Sequence, residues 1–154
     1  MAVECFEKVH LHEVPASVSG ELCLTFQVRT RSRGRATTDA HQEVCWFLDR
    51  GEYLGPGDYL KAGDGDLYRI VAAAEPLSRV THEDGFLLMR AAYHLGNRHV
   101  PLQVTPEALA YQTDHVLDEM VKQLGLSVSH VTATFQPESG AYRGGHHHGS
   151  HHHD

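Results

Sequence analysis

The stretch LSRVTHEDGFLLMRAAYHLGNRHVPLQVTPEALAYQTDHVLDEMVKQLGLSVSHVTATF, residues 77–135, changes its apolar period four times, and the order of those changes sets the fold of this half of the chain. Leu77 to His82 reads as a short strand. Asp84 to Leu95 reads as a helix whose apolar members Phe86, Leu87, Leu88, Met89, Ala91, Ala92, Tyr93 and Leu95 cover nearly the whole circumference. Gly96 falls where a left-handed residue ends a helix. A helix apolar all round is buried on several sides. In a small domain it calls for an additional covering surface, most simply a second subunit, unless its alanines serve only close packing on a sheet. Strands follow at His99 to Val104 and at about Leu109 to Gln112, joined through Thr105-Pro106-Glu107. A second helix runs from about Asp114 to Leu124, with Thr113 as N-cap and Gly125 just past its end. Ser127 to Phe135 is the last strand, with Val128, Val131, Ala133 and Phe135 facing a core. The order β-α-β-β-α-β is the split, ferredoxin-like arrangement.

Upstream, residues 1–75 read as strands and turns. Glu21 to Arg29 alternates Leu22, Leu24, Phe26 and Val28 with Glu21, Cys23, Thr25 and Gln27, the pattern of a half-buried strand. Arg29, Arg31, Arg33 and Arg35 continue the alternation around Gly34, which suggests a twisted hairpin arm with positive charge on one side: a solvated face, or a surface for an acidic partner protein. Val44 to Leu48 and Leu67 to Ala73 are further apolar runs, and Gly51, Gly55-Pro56-Gly57-Asp58 and Gly63-Asp64-Gly65-Asp66 supply turns. Asp64 and Asp66 lack the third ligand and distal glutamate of a calcium loop, so a turn is expected there. The composition shift at Ala72-Ala73-Ala74-Glu75-Pro76 marks the boundary. The expected organisation is α+β: a β-rich domain over 1–75, a ferredoxin-like metal-binding domain over 76–143, and a disordered His-rich tail over 144–154.

That tail, GGHHHGSHHHD, carries His146, His147, His148, His151, His152 and His153 with no apolar residue to anchor it. Such a tract reads as metal-binding on composition alone. A purification tag is the competing reading, but the run is broken by Gly149-Ser150 and closed by Asp154. Thirteen basic against twenty acidic side chains give a net charge of −7, which argues against nucleic acid or an anionic membrane as the main partner and favours cation capture. With no charged-apolar-small leader and no run of eighteen apolar residues, a cytoplasmic location is expected. Cys5, Cys23 and Cys45 are odd in number and widely spaced, so a disulfide framework is not expected.

Eight histidines lie outside the tail. His115, in the first turn of the second helix, lies opposite the apolar arc formed by Val116, Leu117, Met120, Val121 and Leu124, and so faces solvent. His99 is expected to open a strand whose inward members are Val100, Leu102 and Val104, which would hold a ligand more firmly than a tail does. His94, in a last helical turn, suits capping of exposed carbonyls. No single chain offers three convergent ligands in this region, but on a two-fold axis one His99 becomes two. Imidazole with oxygen ligands suits nickel, copper or zinc, and sequence does not choose among them.

The string HLGNRHVPLQ (94–103), with YQTDHVLD (111–118), FQPESGAY (135–142) and the histidine tail, closely resembles the family of urease accessory protein E, the urease nickel metallochaperone. SRGRAT (32–37) and FLDRG (47–51) extend the likeness to the first half. The resemblance implies a non-enzymatic homodimer with an N-terminal peptide-binding domain and a ferredoxin-like domain through which subunits pair. It implies that His99 of both subunits binds one Ni(II), with zinc or copper able to substitute, and that tail histidines bind more ions or complete the site. His115 matches one histidine of a peripheral site present in some members, while Thr113 occupies the other position. It further implies delivery of nickel to the urease apoprotein with a GTPase partner. Two rivals come from other classes: a passive nickel or zinc store that needs no His99, and a hydrolase using Cys45, His41 and Asp39, although no nucleophile elbow surrounds Cys45.

Overall fold

A computed structural model describes residues 1–139, so the His-rich tail lies outside the described residues. The described residues form two compact units, one of Met1–Glu75 with Thr132–Phe135, the other of Pro76–Val131 with residues 136–139.

The first unit is built on a six-stranded mixed sheet. Its strands are β1 (Val3–His10), β2 (Gly20–Leu24), β3 (Arg33–Thr37), β4 (Glu43–Phe47), β5 (Asp58–Ala62) and β6 (Leu67–Ala72), in the order β2-β6-β5-β1-β4-β3. β1 runs parallel to β4 and β2 to β6; the other neighbours are antiparallel. Alternate residues enter one core: Cys5, Leu22, Leu24, Val44, Trp46, Leu60, Ala62, Tyr68 and Ile70, joined by Leu48 and Leu54. The strand expected over Glu21–Arg29 stops at Leu24, because Phe26–Arg29 turns into a short helix, α1. Tertiary contacts override the alternation there. The Phe26 amide donates to Glu75 Oε2 (3.0 Å), and the Phe26 ring meets Phe135 edge-on. Arg29 is buried rather than part of a charged arm, donating to the carbonyls of Leu24 (3.3 Å) and Phe135 (2.6 Å). Arg31, Arg33 and Arg35 are exposed as expected. The 63–66 segment is a turn, in which Asp64 Oδ1 accepts from the Asp66 amide at 2.9 Å.

In the second unit the order is β7 (Ala74–Thr81), α2 (Gly85–Asn97), β8 (Gln103–Val104), β9 (Ala108–Gln112), α3 (His115–Gln123) and β10 (Ser127–Thr134), with the strands in the order β10-β7-β9-β8. Val80, Leu109 and Tyr111 from the sheet meet Ala91 and Leu95 of α2 and Leu117 and Val121 of α3 in one core. Four expectations need correction here. α2 runs on through Gly96 to Asn97, so Gly96 does not end it. Only Gln103–Val104 of the expected 99–104 strand pairs, with Leu109 and Ala110, because the chain is still closing the helix at 98–99. Asp114, not Thr113, caps α3, its carboxylate accepting from the amides of Val116 (2.8 Å) and Leu117 (3.2 Å). Ala133 is exposed, because the end of β10 leaves this unit's core.

Candidate functional site

His99 takes its position from the way α2 ends. Leu95, fully buried, anchors the last turn; Arg98 donates its amide to the Leu95 carbonyl (3.1 Å), and His99 donates to that of Gly96 (3.0 Å). The chain then reverses through His99 itself, at φ +56°, a left-handed conformation that glycine adopts freely and few other residues do. Three residues later the chain is pinned again, at Leu102, whose carbonyl accepts from the Glu138 amide at 2.7 Å. His99 therefore stands exposed on a short reversal held at both ends, not on a strand. A side chain so placed is open to a ligand while its backbone is constrained.

On the same helix Phe86, Met89 and Tyr93 are 60%, 66% and 65% exposed, so the apolar girdle read from the sequence is covered on one side and bare on the other. Their spacing puts all three on one stripe. His94 is half-buried and meets the Tyr93 ring edge-on, with centroids 5.2 Å apart.

His115 is the first residue of α3 and is exposed, as its position off the apolar arc implied. Among the described residues, no three His, Cys, Asp or Glu side chains converge to hold an ion, so His99 and His115 do not form a closed site within one chain. The six tail histidines lie outside the described residues.

A polar group that the sequence reading missed lies beneath α3. Tyr111, from β9, donates its hydroxyl to Asp118 Oδ1 (2.7 Å), and His130 Nε2, from β10, lies 2.8 Å from Asp118 Oδ2. Tyr111 and Asp118 are buried, while the His130 side chain is 63% exposed. Burial alone would raise the Asp118 pKa, but the hydrogen bonds from Tyr111 and His130 outweigh it and hold the carboxyl below its ordinary value. The Tyr111 phenol is pushed up, first by burial and then by the carboxylate it faces. A carboxylate on one ring nitrogen orients an imidazole and aims the other nitrogen outward, as the partners of metal-binding histidines do. Asp118 falls outside the apolar arc of α3, so no pattern in the sequence marked this group.

The hydrolase trio does not assemble. Asp39 Oδ1 accepts the Glu21 amide (3.0 Å), His41 sits in a turn at φ +65°, and Cys45 lies on β4 beside Arg35. No helix among the described residues is long and apolar enough to cross a membrane.

Comparison with known proteins adds an independent line. The family model described as "UreE urease accessory protein, N-terminal domain" matches residues 6–73, and the corresponding C-terminal domain model matches residues 75–154. The urease accessory protein UreE of Ralstonia nicotianae is 52% identical over 128 residues, which cover 83% of this chain and 61% of that protein. Those of Saccharophagus degradans (52% over 121 residues; 79% and 72%) and Ectopseudomonas mendocina (51% over 140 residues; 90% and 84%) are similarly close.

Proposed function

Because the chain belongs to the UreE urease accessory protein family, a family of maturation factors and not of enzymes, we propose that it is a nickel-binding metallochaperone that carries Ni(II) to the urease maturation complex. The observation that carries this reading is the pair of family matches that together run through both units. Nickel is cargo here, so the chemistry required is capture and release. Imidazole is the ligand suited to it, with zinc or copper as substitutes.

In this reading two subunits pair through the bare stripe of α2, and His99 of each contributes to one shared ion. The exposure of Phe86, Met89 and Tyr93 supports the pairing, since apolar side chains of that size on one stripe are what a subunit interface covers. The left-handed His99 at the end of the same helix supports the shared site. The strand order β10-β7-β9-β8, with the last strand beside the first, supports a ferredoxin-like second domain over 76–143, following a β-rich partner-binding domain over 1–75. His146, His147, His148, His151, His152 and His153 would collect further ions or complete the site, and His115 would serve a peripheral one, unassisted by Thr113. A GTPase partner, the urease apoprotein and a cytoplasmic location complete the proposal.

Native mass spectrometry of the chain with its six tail histidines changed to alanine, titrated with nickel beside the same protein carrying His99→Ala, tests this. One nickel per dimer, lost with His99, is expected. An unchanged tight site in the His99→Ala protein would leave only the passive-store reading.

A further inference from the structure

The outer face of the six-stranded sheet carries a row of side chains that the metal chemistry leaves unused. On β1 the register slips between Cys5, paired with Ala62, and Glu7, paired with Lys61, so Phe6 is the extra residue of a β-bulge. Bulges re-aim side chains. Phe6, 65% exposed, stacks on Phe47 of β4, 37% exposed, with centroids 5.3 Å apart and planes at 21°. Arg33, on the edge strand β3, stands opposite Phe47 and is exposed. The row across the sheet therefore reads Arg33, Phe47, Phe6.

Its charge is unanswered where it matters. Glu43 is engaged by Arg35 at 2.7 Å, and Glu7 stands opposite Lys61. Glu4 lies one row away, beside Cys45, across which Arg35 stands. Arg33 has no carboxylate within ion-pair distance among the described residues, nor has exposed Arg31. In a chain of net charge −7 this is a local positive site next to two bare aromatic rings. Arginine and aromatic side chains together are what anchor interfaces.

We propose that this row docks an acidic segment of a partner protein, with a large apolar side chain set on the Phe6–Phe47 stack and a neighbouring carboxylate on Arg33. The carboxylate suits the guanidinium as a two-point partner. The site rests on the partner-binding reading of the first unit and deepens it; it makes no use of nickel, so the peptide titration and the nickel titration fail separately.

The full chain is titrated into two short fluorescein-labelled peptides, one with Asp and Glu around a Leu-Phe pair, the other with Lys in place of the acids, and anisotropy is followed at low and physiological salt. The acidic peptide is expected to bind and to weaken as salt rises. Phe6→Ser with Phe47→Ser, and separately Arg33→Glu, should each weaken it at least about tenfold. Arg79→Glu, a charge change on the exposed side of β7, should leave it unaltered. Circular dichroism checks folding; if the double variant fails to fold, Phe6→Leu and Arg33→Glu carry the comparison. Equal binding of both peptides, no binding of either below about 1 mM, or indifference to Arg33→Glu overturns the proposal. Sedimentation in which the aromatic variant alone loses self-association would assign the row to a second copy of the chain and overturn it too.

Discussion

Gly34→Ala is the sharpest test of how the first unit is packed. Gly34 lies opposite Trp46 in the β3–β4 ladder, and the indole lies over it. A Cβ built on Gly34 would stand 2.2 Å from Trp46 Cζ2, 2.7 Å from Cε2 and 2.8 Å from Cη2. Carbon pairs rest at about 3.5–4.0 Å, so the ring or the strand must retreat by more than about 1 Å. Trp46 is fully buried and its Nε1 donates to the Arg31 carbonyl at 3.1 Å, so it has little room to move without losing that bond. Overpacking costs about 1–3 kcal/mol, and a buried donor left unpaired costs about 1–3 kcal/mol more. The entropy that alanine removes from the unfolded chain returns about 0.4–1 kcal/mol. The net loss is therefore about 1–5 kcal/mol, centred on about 3, a large share of a domain's stability. Trp46 is the only tryptophan, so urea unfolding followed by its emission reports on this site directly. With a urea slope of about 1–3 kcal/mol/M, the midpoint should fall by roughly 1–2 M. Gly63→Ala, where an added Cβ meets nothing within 4 Å, is the control. Equal midpoints and emission spectra for the two variants would refute the close approach.

Tyr111→Phe removes the hydroxyl from a buried carboxylate and should cost about 1–3 kcal/mol in denaturant unfolding; a loss under about 0.5 kcal/mol would mean that the network is slack. Because the Asp118 pKa is lowered on folding, its stabilisation is complete above the unfolded value of about 4 and disappears as pH falls through the depressed folded value. Asp118→Asn should flatten stability against pH in that acid range, and an unaltered profile would count against it. His99→Gly should lose the tight nickel site yet leave the fold at least as stable, whereas His99→Val should cost about 1–2 kcal/mol, because only glycine relaxes a left-handed position; equal stability for both would sink that account. Met89→Glu with Tyr93→Glu should shift the proposed dimer toward monomer in sedimentation, and unaltered mass would remove α2 from the proposed interface. Nickel capacity should fall steeply below about pH 6 as imidazoles protonate, and full stoichiometry at pH 5 would exclude histidine ligation.

Periodicity made the second unit's elements readable in order, because each has a length and an apolar face set by neighbours close in sequence. Residues 77–82, the body of α2, α3 and its terminating Gly125 were all legible that way. In the first unit β4 and β6 stood out as apolar runs, whereas β1 and β5 carry Glu4, Glu7, Lys8 and Lys61 among their apolar residues and gave no clean alternation. The Leu22–Val28 alternation was true only as far as Leu24, since the helical turn beginning at Phe26 answers to Glu75 and Phe135, far along the chain.

At the candidate site the residue type was readable and its presentation was not. The string 94–103 singled out His99 by resemblance, but a helix that overruns Gly96 and reverses through His99 depends on Leu95 and Leu102 being held in a core assembled from distant residues. Asp118 looked like an ordinary helix carboxylate until Tyr111 and His130 were brought to it by the sheet. Local sequence by itself determined most element types of the second unit, the family resemblance and which residues carry imidazoles, because these rest on short-range pattern and side-chain identity. Only the tertiary structure decided which arginine is buried, which phenylalanines are bare and which histidine has an oriented ring, because each depends on partners many residues away.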